Sequence, residues 1–243
     1  MTQSPAAFDA SKLSRAELAK YIQSTSIAPD ASRDEIIAHL EKCAEYNVDA
    51  AMIAMCWVPL ARNILRGTDV KVATFFGIGV GTESVNAKIA LLKECIWLEA
   101  DEVDYQPNMS FFLSGMYEEF EEEAARLVKT AEEVSLKVML ELSCLPDDGQ
   151  KRHAAQLLID AGVPWLKNSS GWGKLAGPAT VEDIRLLSSL CQGTASRVKA
   201  SGKINSYQRA VDLLNAGAEL LGTSSAELIL AGSAPSEPEE ADY

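Results

Sequence analysis

The sequence predicts a (β/α)8 barrel, the TIM-barrel architecture, with an additional N-terminal helix. Apolar strand-like runs alternate with amphipathic helical segments along almost the whole chain, the pattern of a parallel sheet covered by helices. Eight runs of each kind can be marked, and 243 residues is close to the roughly 250 at which such barrels close. No linker or low-complexity stretch interrupts the middle. Alternation alone leaves a doubly wound open sheet as the alternative. Residues 1–231 are expected to form a single domain, and residues 232–243 a flexible acidic tail.

Taken in order, residues 11–22 read as the extra helix, closing the barrel bottom or leading into the first strand. Strands are expected at 21–27, 50–55, 71–76, 102–105, 137–142, 165–168, 197–200 and 220–223. The segments 34–46, 58–66, 84–98, 117–134, 150–161, 181–191, 207–216 and 226–231 space their apolar residues at helical intervals. Ser84 stands where an N-cap belongs, and Thr180-Val-Glu-Asp183 resembles a capping box. The acidic run 118–123 reads as a solvated helix face. From Gly232 onward, Pro, Ser and acidic residues replace the apolar period.

Asp and Glu outnumber Lys and Arg by 35 to 22, a net charge of −13. That balance opposes attraction to nucleic acid or an anionic membrane. Apolar stretches are too short or interrupted to span a bilayer, and no export signal opens the chain, so a cytoplasmic location is expected. Five cysteines without a CxxC pair argue against a disulfide framework. The two histidines, His39 and His153, lie far apart without a second ligand nearby, which argues against a histidine-bound zinc site; carboxylates alone could hold magnesium, but no tight Asp/Glu cluster lies at a strand end, and no cofactor is expected. The oligomeric state stays open, a homodimer being one option.

The chemistry concentrates at two lysines. Lys167 follows Pro-Trp-Leu and precedes Asn-Ser-Ser-Gly; Lys199 follows Arg-Val and precedes Ala-Ser-Gly. Burial at a strand end penalises an ammonium, and two ammonium groups on neighbouring strands make each other easier to deprotonate. One amine then becomes a nucleophile, which points to imine chemistry. The bland reading is a pair of solvated lysines, and the repeated context speaks against it. In a barrel the site lies at the carboxyl ends of the strands, where Asp104 and the Lys137/Glu141 pair join the two lysines.

Seven stretches then resemble, in order and at similar spacing, the signatures of the deoxyribose-phosphate aldolase family. They are Val70-Lys-Val-Ala-Thr74, Ala100-Asp-Glu-Val-Asp104, Leu136-Lys-Val-Met-Leu-Glu141, Trp165-Leu-Lys167-Asn-Ser-Ser-Gly171, Ala179-Thr-Val-Glu-Asp-Ile-Arg185, Val198-Lys199-Ala-Ser-Gly202 and Gly217-Ala-Glu-Leu-Leu-Gly-Thr-Ser-Ser225. The resemblance spans roughly residues 18–230. It implies a metal-free class I aldolase that reversibly cleaves 2-deoxy-D-ribose 5-phosphate to acetaldehyde and D-glyceraldehyde 3-phosphate. Lys167 matches the family's Schiff-base lysine, and Lys199 the second lysine that depresses the nucleophile's pKa and shares in proton transfer. Asp104 matches the aspartate that acts through a water on the substrate hydroxyl. Lys137 and Glu141 match positions lining the site, either orienting this relay or forming a structural ion pair.

A phosphate group suits backbone amides at helix starts after strands seven and eight, here Gly202–Lys203 and Ser224–Ser225, with Gly171 contributing. The pattern departs from the family where Gly202-Lys203-Ile-Asn205-Ser206 replaces Gly-Gly-Ile-Arg-Thr, so Lys203 either supplies the displaced charge or marks a different acceptor. Gln23-Ser24-Thr25 stands for Asp-His-Thr, Met52-Ile-Ala-Met55 for Cys-Val-Asn-Pro, and Ile78-Gly79-Val80-Gly81 for Phe-Pro-Leu-Gly; these positions are expected to shape the acceptor side. Some family members end in a tyrosine that reaches the site and assists proton exchange, which nominates Tyr243; the alternative is a solvated tail without a role. The competing functions are a related lysine-dependent aldolase with a different or non-phosphorylated aldehyde acceptor, and a catalytically idle barrel that binds a ligand.

Overall fold

A computed structural model describes residues 8–132, 134–173 and 176–232. Eight parallel strands close into a barrel in sequence order: β1 (Ile22–Ser26), β2 (Ala50–Ile53), β3 (Lys71–Phe76), β4 (Glu102–Tyr105), β5 (Ser135–Met139), β6 (Trp165–Lys167), β7 (Arg197–Ser201) and β8 (Leu220–Thr223). The closing pair β1–β8 sets Gln23 beside Gly222. The open-sheet alternative is thereby excluded.

The helices are α1 (Arg15–Ala19), α2 (Arg33–Tyr46), α3 (Val58–Ile64), α4 (Val85–Trp97), α5 (Met109–Leu113), α6 (Tyr117–Ala131), α7 (Asp148–Asp160), α8 (Val181–Cys191), α9 (Tyr207–Asn215) and α10 (Ala226–Ala231). Their starts are chemically marked. Ser14 with Glu17 and Ser32 with Glu35 form reciprocal capping boxes, while Ser84, Asp147, Thr180 and Ser206 each accept an amide hydrogen of the first turn. The expected extra helix is shorter than residues 11–22, because a 3-10 turn at Ala10–Lys12 precedes Ser14. Helix α5, inserted after β4, was not anticipated; its five residues are too few to show a period.

Apolar side chains on the outer faces of the strands pack against the helices in one continuous core, including Val103, Tyr105, Val138, Leu166 and Leu221. The barrel interior is divided. Ala50, Met52 and Ala73, with Ile27 and Phe75 beside them, make a small apolar wall on the β2–β3 side. The opposite side carries buried Glu102, Asp104, Lys137, Lys167 and Lys199, since alternate residues of a strand share a face. At the amino ends of the strands a cleft of about 730 Å³ is lined by Arg62, Lys71, Asp101, Glu102 and Arg197 among others. Ion pairs span its charges, Arg62 to Asp101 at 3.0 Å and Arg197 to Glu219 at 2.7 Å. This is the end of a barrel that conventionally serves stability, opposite the loops that carry chemistry. Among the described residues no helix is long and apolar enough to cross a membrane.

Candidate active site

Strands β6 and β7 align Lys167 with Lys199 as direct partners. Both side chains enter the barrel and meet one carboxylate oxygen: Asp104 Oδ2 lies 2.9 Å from Lys167 Nζ and 2.8 Å from Lys199 Nζ. Lys137, paired in register with Asp104, puts its Nζ 3.7 Å from the other oxygen, Oδ1. Three ammonium groups therefore surround a single fully buried aspartate. Oδ1 has no hydrogen-bond partner among the described residues, so one acceptor faces the three cations unoccupied.

Below this cluster Glu102 binds Lys137 through a very short contact between Oε2 and Nζ, and its other oxygen lies 3.2 Å from Lys71 Nζ. Gln23 joins the two levels. Its Oε1 accepts from Lys199 Nζ at 2.6 Å, and its Nε2 donates to Glu102 at 2.6 Å and Asp49 at 2.8 Å. Glu102 and Lys137 satisfy each other, the condition under which buried charge is tolerated.

The electrostatics follow from that packing. Burial opposes ionisation of Asp104, but the adjacent Lys167, Lys199 and Lys137 overcome it and hold the carboxyl far below the usual range. Glu102 is likewise drawn down to about 2, burial being outweighed by Lys137 and Lys71. Lys199 moves the other way. Burial pushes it down to about 7, Asp104 restores part of its charge, and Lys167 and Lys137 repel it further. A lysine near 7 can take and return protons at neutral pH.

The two lysines differ in access. Lys199 is sealed, 1 % exposed, and donates to two acceptors; Lys167 is 5 % exposed and donates to one. The depressed amine is thus Lys199, whereas the amine that a ligand can reach is Lys167. Both donate to Asp104 Oδ2, which links the two amines through one acceptor.

Glu141 does not join Lys137, and the expected pair on one strand is corrected. Strand β5 runs over Ser135–Met139, two residues earlier than its expected start, which leaves Glu141 beyond it in a left-handed conformation with φ 46°. There it accepts from Ser169 Oγ at 2.9 Å and from the Ser170 amide at 2.7 Å, bracing the loop that follows Lys167.

That loop meets the next one at two glycines. A Cβ on Gly171 would stand 3.5 Å from Gly202 Cα, and one on Gly202 would lie 2.6 Å from the Gly177 carbonyl, so close approach and a φ of 109° both require glycine at 202. Lys203 follows with φ 51°, an exposed side chain in a conformation usually left to glycine. Neither residue stands at a helix start, as had been expected. Helix α9 begins at Tyr207, and its Arg209 amide is already bound by Ser206. Thr223 Oγ1 donates to the Ile204 carbonyl at 2.6 Å and accepts from the Ser225 amide at 2.9 Å, linking the loops after β7 and β8. Gly171, Gly202, Lys203, Ser224 and Ser225 thus lie on loops at the carboxyl ends of β6, β7 and β8. Tyr243 and the rest of the acidic tail lie outside the described residues.

Sequence reasoning missed Glu102 and the partners of Gln23. Glu102 is two residues before Asp104, and a period of two sets both on the inner face. Gln23, expected to help shape the acceptor side, hydrogen-bonds Lys199, Glu102 and Asp49.

Known proteins of similar sequence and shape carry the same arrangement of elements. The chain is 35% identical over 210 residues to a deoxyribose-phosphate aldolase of Caldanaerobacter subterraneus subsp. tengcongensis, covering 85% of this chain and 89% of the relative. It is 34% identical over 229 residues to one from Thermococcus kodakarensis, covering 93% and 100%. A solved structure of a deoxyribose phosphate aldolase from Aeropyrum pernix, described as a tetramer, superposes with a TM-score of 0.80 at 27% identity, covering 90% of this chain and 91% of the other. No family model matches the chain.

Proposed function

This chain belongs to the deoxyribose-phosphate aldolase family, and on that footing we propose that it reversibly cleaves 2-deoxy-D-ribose 5-phosphate to acetaldehyde and D-glyceraldehyde 3-phosphate through an imine on Lys167. The observation that carries the reading is the shared oxygen of Asp104, which holds two buried lysines of unequal access.

Neutral Lys167 adds to the aldehyde carbon C1 of the open-chain sugar, and the carbinolamine takes up one proton and loses water to give the protonated imine, that proton being returned when the imine is hydrolysed. The iminium draws electrons from the C2–C3 bond. As that bond breaks, the C3 hydroxyl gives up its proton to a base, C3 becomes the carbonyl of the released aldehyde, and C1–C2 becomes an enamine. Asp104 Oδ1, without a hydrogen-bond partner among the described residues, is placed to accept that proton through a water. Lys199, with a pKa near 7, then supplies the proton to C2, and hydrolysis of the imine frees acetaldehyde and Lys167. Lys137 stays beside Asp104 throughout, held there by Glu102. The apolar wall of Ala50, Met52 and Ala73 on the β2–β3 side faces the substrate carbons.

Gly171, Gly202, Ser224 and Ser225 line the proposed phosphate site, where the Gly171 amide already donates to Ser169 Oγ and the Ser225 amide to Thr223 Oγ1, and Lys203 adds a cation free of partners among the described residues. Replacing Lys203 with alanine should raise KM for the phosphorylated sugar several-fold and leave that for 2-deoxyribose unchanged; equal effects on both would place Lys203 outside the phosphate site. A second reading, an acceptor without phosphate, draws on Lys203 standing four residues ahead of α9 rather than on its first turn. Acetaldehyde release from 2-deoxyribose with and without its 5-phosphate separates the two. A large preference for the phosphorylated sugar supports the first reading, and none supports the second. Self-association as a homodimer, a cytoplasmic setting, and transient help from Tyr243 in proton exchange complete the proposal. Truncation of the tail tests the last: an unchanged exchange rate at the acetaldehyde methyl would remove Tyr243 from the mechanism.

A further inference from the structure

Inside the barrel, among the described residues, Lys137, Lys167 and Lys199 pair with no carboxylate but Glu102 and Asp104, while Lys71 and Asp49 balance each other at the lower edge, 2.8 Å apart. The interior therefore carries one positive charge in excess when all of these groups are ionised. Gln23 occupies the position where a further carboxylate would cancel it. The amide is fully buried, and its partners fix its orientation: both Nε2 hydrogens go to carboxylates, at Glu102 and Asp49, and Oε1 faces the Lys199 ammonium. Reversing it would set hydrogens against an ammonium and oxygen against two carboxylates.

We infer that Gln23 is a positioning residue for the reaction: it holds Lys199 in place with a neutral acceptor, and so preserves the surplus positive charge that drives one of the paired amines to release its proton. The inference rests on the imine reading above and extends it to a residue that touches no substrate. Lys199 is faced by Asp104 from β4, Lys167 from β6, Lys137 from β5 and Gln23 from β1, with Glu102, Asp49 and Lys71 one contact further away. Among these, Gln23 alone touches Lys199 and cannot titrate. A carboxylate in its place would stabilise the ammonium, whereas an apolar side chain would withdraw an acceptor from it. The two changes must move the amine in opposite directions.

The test is the pH dependence of irreversible trapping of acetaldehyde by cyanoborohydride, in the wild-type protein, Gln23→Glu and Gln23→Met. Trapping requires a neutral amine, so its rate rises through the pKa of the lysine pair. Gln23→Glu should move the midpoint up by about one pH unit, lowering the rate about tenfold at a pH below both midpoints. Gln23→Met should move it down. A role confined to packing would lower the rate at every pH without moving the midpoint, and midpoints unmoved in both folded variants overturn the inference. If Gln23→Glu does not fold, the direction of the Gln23→Met shift decides alone, and an upward shift there also overturns it. A wild-type protein that traps nothing at any pH would instead defeat the imine reading, and this inference with it.

Discussion

Lys199 and Lys88 are both sealed from solvent, at 1 % and 0 % exposure, yet they occupy opposite faces of the sheet and answer to different charge balances. Lys199 lies inside the barrel, where three lysines crowd one aspartate. Lys88 lies on α4 outside the wall, where it donates to the Gly81 carbonyl and to Glu123 Oε1, each at 2.7 Å. Glu123 on α6 also accepts the Asn108 amide at 3.0 Å. The pair therefore ties the loops after β3 and β4 to the two helices behind them. Burial pushes the Lys88 ammonium down and the Glu123 carboxyl up, but each has its counter-charge. A buried lysine is thus no sign of chemistry by itself. What sets Lys199 apart from Lys88 is the surplus of like charge around it on the inner side of the sheet.

The sharpest way to break this contrast is to remove each lysine with a side chain of similar length. Lys167→Met should reduce deoxyribose 5-phosphate cleavage to background, a loss beyond the 10²–10⁴-fold, roughly, attributed to acid–base assistance. Lys199→Met should lower kcat by about 10²–10⁴-fold, while its stability in urea stays within about 2 kcal/mol of wild type, because relieved repulsion offsets the lost hydrogen bonds. Lys88→Met should do the reverse. It leaves Glu123 as an uncompensated buried charge, which costs about 3–5 kcal/mol, and turnover per folded molecule should stay within a few-fold. A Lys88 variant that is stable but inactive would erase the distinction between the two faces.

Stability against pH sharpens the same comparison at smaller amplitude. Lys199 has its folded pKa lowered from 10.5 to about 7, so between those values the unfolded chain holds the extra proton. Stability contributed through this group accordingly rises as pH climbs from about 7 to 10.5. Urea denaturation of wild type against Lys199→Met across that interval should show the wild type gaining relative to the variant. Glu102 behaves as depressed carboxylates do: its contribution is complete above about 4.5 and is lost as pH falls toward 2. Glu102→Gln should flatten that part of the acid limb.

Much of this was legible in the chain because period and punctuation are local. Strands β3, β4 and β8 and helices α8 and α10 fall at their expected limits, and Asp104, Lys167 and Lys199 converge because neighbouring parallel strands must bring them together. Less local features escaped. The bend that removes Glu141 from β5 depends on a left-handed residue without glycine to announce it. Lys88 sits in an amphipathic helix like any surface lysine, and only the covering of α4 by α6 buries it. Gln23 was visible as a substitution, but its partner Lys199 is 176 residues away in sequence, brought beside it when β8 closes on β1. Charge balance inside a barrel is a property of the closed sheet, and no single motif contains it.

The central claim is that access, rather than burial, selects which lysine reacts. Reduction with cyanoborohydride in the presence of acetaldehyde, followed by peptide mapping, leaves an ethyl group on the amine that formed the imine. The account predicts that group on Lys167, with Lys199, Lys137 and Lys88 unmodified. Ethyl groups chiefly on Lys199 would contradict it.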